Sequence, residues 1–191
     1  MTVRTVRALF AWCVLFLCTV LAAPAHAQGG APAPPRASVF GGVSFLPGGD
    51  EDFPRLTTST GFQAGVALQL TRWFAVFADI GGHYSTVTDL GPGFPGVTAE
   101  TSVYEYLFGP RFTFRSGRST IFTHALVGVS TGHTNIGFSD SGFTFGGGAG
   151  VDVDLTRRLA IRGAFDLFGS FADIVEGNSR VAFGLVVRLG G

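Results

Sequence analysis

From residue 38 to residue 189 the chain keeps one rhythm. Apolar side chains fall at every second position for nine to fourteen residues, turn-forming residues follow, and the alternation resumes. A spacing of two is that of side chains on one face of a β-strand. In Gly142–Leu155 the odd positions hold Phe143, Phe145, Gly147, Ala149, Val151, Val153 and Leu155, and the even ones end in Asp152 and Asp154. In Leu159–Phe171 the odd set includes Ile161, Phe165 and Leu167, and the even set holds Arg162, Asp166 and Ser170. The other runs are Ser38–Leu46, Gly61–Leu70, Trp73–Tyr84, Thr101–Phe114, Ser119–Thr131 and Ser179–Leu189. In Ser119–Thr131 the two faces are less distinct. No segment after residue 35 reads as a helix, so the pattern predicts eight strands.

The connections alternate in length. Thr71-Arg72, Arg115 to Arg118 and Thr156 to Arg158 are short; Pro47 to Thr60, Ser85 to Glu100, Gly132 to Ser141 and Ala172 to Asn178 are longer. Leu70-Thr71-Arg72-Trp73-Phe74-Ala75-Val76 echoes Leu155-Thr156-Arg157-Arg158-Leu159-Ala160-Ile161. Both would join strands through a tight Leu-Thr-Arg turn.

An even number of antiparallel strands, with short turns at one end and long loops at the other, is the pattern of an outer-membrane barrel. Runs near the length of about 9–11 residues can cross a bilayer at a tilt. The expected fold is therefore all-β: an eight-stranded antiparallel up-and-down transmembrane β-barrel. Its lipid-facing side would carry Phe74, Val76, Ile80, Tyr106, Phe108, Phe143, Phe145, Val151, Val153, Phe165, Leu167, Phe183 and Leu185. Its inward side would carry a polar network of Asp79, Glu105, Asp152, Asp154 and Asp166 with Arg111, Arg162, Arg180 and Arg188. Eight strands enclose an interior that side chains can fill. Five acids and four bases held there need mutual pairing. A soluble barrel or sandwich would reverse the faces, with Phe inside and charge outside.

Composition argues against that reversal. Apolar residues make up 46% of the chain and charged residues only 14%, and none of the 191 residues is Lys. The polar face is mostly Gly, Ala, Ser and Thr, a poor water-facing surface. Formal net charge is zero, so no basic field points to nucleic acid. Ahead of the strands, Arg4 and Arg7 precede a largely apolar run, Ala8 to Ala23, and then Ala25-His26-Ala27. That is the layout of a secretory signal peptide over residues 1–27. Residues 28–37 read as a Pro/Gly-rich linker, and 38–191 as the barrel. Cys13 and Cys18 both lie in the leader, so the exported chain would use no disulfide.

Charge also sorts by end. The short turns carry Arg72, Arg115, Arg118, Arg157 and Arg158. The long loops carry Asp50, Glu51, Asp52, Asp89, Glu100, Asp140, Asp173 and Glu176 against Arg55. The turns are expected on the periplasmic side and the loops outside. Loop acids could take divalent cations or a basic partner, although solvation alone explains them.

Little else in the chain suggests chemistry. His83-Tyr84-Ser85 has the spacing of a His-x-Ser pair, but His83 shares the inward face with Asp79, away from any lipid substrate. His124 and His133 stand isolated, with no metal-ligand spacing. Gly146-Gly147-Gly148-Ala149-Gly150 lacks the helix a nucleotide loop requires; its small residues fit close strand packing or room for large inward neighbours. No catalytic residue, cofactor or metal is expected. Trp73, Tyr84, Tyr104 and Tyr106 are candidates for aromatic girdles, Trp73 at the periplasmic rim and Tyr84 at the outer one.

The stretch Gly148-Ala149-Gly150-Val151-Asp152-Val153-Asp154-Leu155-Thr156-Arg157-Arg158-Leu159-Ala160-Ile161-Arg162, followed by Asp166, resembles the penultimate hairpin of small outer-membrane β-barrel proteins. These are the OmpA/OmpX-like group and the outer membrane protein β-barrel domain family. The resemblance implies an eight-stranded barrel in a Gram-negative outer membrane. Such barrels commonly end on an aromatic residue, whereas this chain ends Val187-Arg188-Leu189-Gly190-Gly191. No periplasmic domain is expected after the last strand. Fold does not fix function in this group. The expected role is structural or surface-interacting, with outer-membrane lipid around a monomer and a possible ligand at the long loops. A narrow porin-like channel is the alternative, and a lipid A-modifying enzyme a further one.

Overall fold

The computed structural model describes residues 36–46, 59–88, 98–135, 137, 139–170 and 178–190. The expected signal peptide lies outside them, as does the linker up to Pro35. Eight strands run in order: β1 Ala37–Leu46, β2 Ser59–Gln69, β3 Phe74–Thr88, β4 Thr98–Ser116, β5 Ser119–Thr134, β6 Ser139–Asp154, β7 Leu159–Ser170 and β8 Asn178–Leu189. Each pairs antiparallel with the next, and β1 pairs with β8, so the sheet closes into a barrel. Closure leaves no lateral edge between first and last strands.

Sequence alternation becomes an inside and an outside. On β2 the inward positions Gln63, Gly65 and Ala67 are buried, while Phe62, Val66 and Leu68 are exposed. On β4 Glu105, Leu107, Arg111 and Thr113 are buried, while Tyr106, Phe108, Phe112 and Phe114 are exposed. Among the described residues 26 large apolar or aromatic side chains stand exposed. A continuous wall of that kind far exceeds the apolar patch a water-soluble monomer tolerates.

Strand β5 resolves the ambiguous run. Its even positions Thr120, Phe122, His124 and Leu126 are buried, and Thr123, Ala125, Val127 and Val129 are exposed. Both faces hold apolar residues, which is why alternation alone blurred them. The inner face is also less polar than expected. Phe40, Phe77, Leu107, Phe122, Leu126 and Phe168 are buried there beside the charges.

Strands β3 to β6 run past their apolar alternation into Ser- and Thr-rich ends. Ser85 to Thr88 pair with Thr98 to Thr101, a ladder of backbone groups in which Ser, Thr and Glu outnumber apolar residues. At the other end, Ala37 of the expected linker already belongs to β1 and Arg36 donates its N–H to Gly190 O at 3.0 Å.

The two Leu-Thr-Arg turns are built alike. The N–H groups of Leu70 and Thr71 both point to Phe74 O, at 2.9 and 3.0 Å, and those of Leu155 and Thr156 to Leu159 O, at 2.9 and 3.0 Å. Thr71 Oγ1 and Thr156 Oγ1 each accept from the backbone two and three residues on. The third short turn places Gly117 at φ 57°, the positive angle that a two-residue hairpin demands.

Three inward glycines of β6 make room for large neighbours. A Cβ on Gly148 would stand 1.9 Å from Asp166 Oδ1 and 2.6 Å from the Phe165 carbonyl oxygen. One on Gly146 or Gly150 would stand 2.4 Å from the ring of Phe168 or Phe122. Outward Gly163 is different, its nearest contact being Phe183 at an ordinary 3.5 Å. Gly148→Ala is therefore expected to destabilise the refolded barrel by about 1–3 kcal/mol, the usual cost of overpacking. Gly163→Ala should stay within about 0.5 kcal/mol. Urea midpoints in detergent micelles distinguish the two.

Candidate functional site

Inward parity places the charged side chains of five strands in two tiers. The tier nearer the long loops centres on Arg180 of β8, which has no exposed surface. Its Nε donates to Asp166 Oδ2 at 3.0 Å, its Nη1 to Glu105 Oε2 at 2.8 Å and its Nη2 to Asp79 Oδ2 at 2.6 Å, with Nη2 also reaching Asp166 Oδ2 at 2.8 Å. One guanidinium thus ties β8 to β7, β4 and β3. Two of the carboxylates have second partners. Gln63 of β2 donates to Asp79 Oδ1 at 2.7 Å, and His124 of β5 donates from Nε2 to Asp166 Oδ1 at 2.7 Å. Arg180 also lies over the Phe168 ring, 4.7 Å from its centroid.

The tier nearer the short turns centres on Asp152. Arg162, its cross-strand partner, grips it with two parallel bonds, Nε to Oδ1 at 2.7 Å and Nη2 to Oδ2 at 2.9 Å. This two-point fork is the strong form of the Arg–carboxylate pair. Arg111 reaches the same carboxylate only at 3.6 Å. Aromatic faces complete the tier: Arg111 lies 3.6 Å from the Phe122 centroid, and Arg162 lies 4.6 Å from Phe122 and 4.7 Å from Phe40. Such contacts are favourable for a cation held out of water. Below them Arg188 pairs with Asp154 at 2.5 Å, where the Asp154 side chain is 28% exposed.

The nine residues expected in the polar network stand on the inner face in three groups: Arg180 with its three carboxylates, Asp152 with Arg162 and Arg111, and the pair Arg188–Asp154. The expected outward residues are exposed except Phe74, Val151 and Phe165, which are half-buried against neighbours on the wall. Phe74 packs against Trp73 and Phe112. His124 is not isolated, as its spacing in the chain suggested; it joins the network through Asp166. Gln63, Phe40, Phe77 and Phe122 were not anticipated as partners of charge. The parity of β1, β2, β3 and β5, read together with Asp79 and Asp166, is the signal that finds them.

His83 bonds through Nε2 to Ser44 Oγ at 2.8 Å, so its partner is on β1 and is not Ser85. Among the described residues no three His, Cys, Asp or Glu side chains are grouped to hold a metal ion. At the loop end Tyr84 and Tyr104 join hydroxyls at 3.0 Å, and at the turn end Trp73 stacks on Phe112 with rings 8° from parallel. Of the acids expected in loops, Glu100 and Asp140 stand instead on the loop-side ends of β4 and β6, where they are exposed; Asp50, Glu51, Asp52, Asp89, Asp173 and Glu176 lie outside the described residues.

A closed antiparallel β-barrel is the architecture that the family comparison also returns. The outer membrane protein β-barrel domain matches residues 13–187. The chain belongs to that family. Its place is the outer membrane. No curated protein sequence matches the chain. Solved structures with the same fold include Neisserial surface protein A, at 8% identity and TM-score 0.59, covering 80% of this chain and 96% of that one. They also include Ail, the attachment invasion locus protein of Yersinia pestis, in complex with the heparin analogue sucrose octasulfate. That structure has 12% identity and TM-score 0.52, covering 82% of this chain and 100% of that one. At these identities the likeness concerns the barrel fold.

Within this family member, Arg180 offers the sharpest test of the interior. Arg180→Met removes the one cation that three buried carboxylates share. Breaking a buried pair from one side typically costs about 3–5 kcal/mol. Gln63→Leu removes a single neutral donor and should cost only about 1–3 kcal/mol. Unfolding of the two variants in urea, compared with the parent barrel, gives the order directly.

Proposed function

We propose that the protein is a non-enzymatic outer-membrane barrel whose interior is closed by its own side chains and whose interactions are made by the long loops. Residues 1–27 serve as the export signal, and the exported chain works as a monomer set in lipid. The outward series from Phe74 to Leu185 contacts the acyl chains. The observation that carries this reading is Arg180, bonded at once to carboxylates from three other strands. A side chain anchored that way occupies the bore, and its partners are anchored in turn by Gln63 and His124.

The loops favour a particular kind of partner. Ail was solved with a sulfated, polyanionic sugar. Here the loops between strands carry six acids against Arg55, so like charge opposes a polyanion and favours a basic surface or a divalent cation. The His-Tyr-Ser sequence supports no catalytic reading, because His83 is turned inward and held by Ser44.

The test is single-channel recording from the refolded exported chain in a planar bilayer. Silence from protein shown to be inserted is the expected result. Stable, discrete conductance steps would replace the closed interior with a narrow pore.

A further inference from the structure

The two ends of the barrel differ in charge. At the turn end Arg36, Arg72, Arg115, Arg118, Arg157 and Arg158 are all exposed. The acid that accompanies them among the described residues is Asp154, whose carboxylate is paired with Arg188. Arg118 donates from Nη2 to the Asp154 carbonyl oxygen at 3.0 Å, and no described carboxylate pairs with any of the six. The tight turns are closed by Thr71 and Thr156, so no Arg side chain is spent on building them. At the other end the described strand ends carry Glu100 and Asp140 and no exposed Arg.

The cations follow directly on an apolar band. Leu70, Trp73, Phe114, Leu155 and Leu189 are exposed on the outer wall at the turn end. Arg72 lies between Leu70 and Trp73, Arg115 follows Phe114, and Arg157 and Arg158 come two and three residues after Leu155. A strand residue advances about 3.3 Å, which a barrel tilt of about 40° reduces to roughly 2.5 Å along the membrane normal. One to three residues past the last apolar side chain therefore span at most roughly 7.5 Å. A bilayer of about 40–45 Å around a hydrocarbon core of about 30 Å leaves about 5–7.5 Å of headgroup on each side. The guanidiniums thus stand at the depth of the lipid phosphates.

We propose that this arginine rim binds the phosphates of anionic phospholipids of the phosphatidylglycerol kind in the leaflet it faces. A guanidinium matches a phosphate with two parallel hydrogen bonds. A zwitterionic headgroup brings a cation of its own beside each phosphate, and the rim offers no unpaired acid to receive it. An anionic headgroup brings none. A soluble polyanion would approach from the aqueous side alone, whereas Leu70, Trp73 and Phe114, beside the same arginines, meet acyl chains. Binding at this rim needs only the placement in the outer membrane and no partner at the loops.

Trp73 reports on the rim from within it. The exported chain as expected keeps it as its one tryptophan, since Trp12 falls in the leader. It adjoins Arg72, and Arg115 lies on the neighbouring strand β4. The experiment is fluorescence quenching of the refolded exported barrel in dioleoylphosphatidylcholine vesicles that contain a brominated phospholipid. At equal mole fraction and low salt, brominated phosphatidylglycerol should quench Trp73 more than brominated phosphatidylcholine does. The corresponding preference is about five-fold, the effect of one basic residue beside an anionic surface. Arg72→Gln combined with Arg115→Gln should bring the two quenchers level. Equal quenching of the parent barrel by the two lipids overturns the proposal and leaves the rim to solvent or to a soluble anion. A preference that survives undiminished in the double variant also overturns it. The parent measurement needs no variant, so a poorly folding double variant leaves the proposal open to refutation.

Discussion

In hydrocarbon no backbone N–H or C=O can turn to water, and this constraint governs the rest of the structure. A spanning sheet must close on itself. The β1–β8 pairing from Ala37↔Leu189 to Phe45↔Val181 performs that closure. Once closed, the sheet has two surfaces of opposite character. The outer one meets acyl chains and needs only apolar bulk. The inner one is narrow, and whatever it encloses must be satisfied by its own side chains. The period of two along each strand is the one-dimensional trace of that division.

Enclosing charge is costly unless geometry is good, and the inner face meets that demand by combining three kinds of residue. Carboxylates and guanidiniums supply the bonds, as in the Asp152–Arg162 fork. Phe40, Phe77, Phe122 and Phe168 supply ring faces over which guanidiniums sit. Glycines at 146, 148 and 150 supply the space. None of the three works without the others: a side chain at Gly148 would occupy the place of the Asp166 carboxylate, and Asp166 is the common neighbour of Arg180 and His124. The high glycine content and the buried charge are one design feature seen twice.

Much of this was legible in the chain. Asp152, Asp154, Arg162 and Asp166 at even positions within an apolar stretch gave both strands of a hairpin and their inward faces. The repeated Leu-Thr-Arg gave two turns that the structure builds with matching bonds. Alternation failed where both faces of a strand are apolar, as in β5, and so His124 was set apart from the network it belongs to. It also ended strands too early where Ser and Thr replace apolar residues, since the ladder there rests on backbone bonds. Which acid pairs with which base was not legible, because Arg180 reaches Asp79 across 101 positions of sequence. That contact depends on barrel closure, which no local pattern encodes.

The division into two faces is tested most directly by spin labels placed one at a time along β6 and β7 of the refolded barrel in lipid bilayers. The exported chain as expected contains no native cysteine to interfere. Oxygen accessibility should oscillate with a period of two and peak at the odd positions, such as Phe145, Val153, Ile161 and Leu167. It should fall at Thr144, Asp152, Arg162 and Asp166. Maxima at the even positions, or no oscillation at all, would contradict an apolar wall facing lipid around a charged interior.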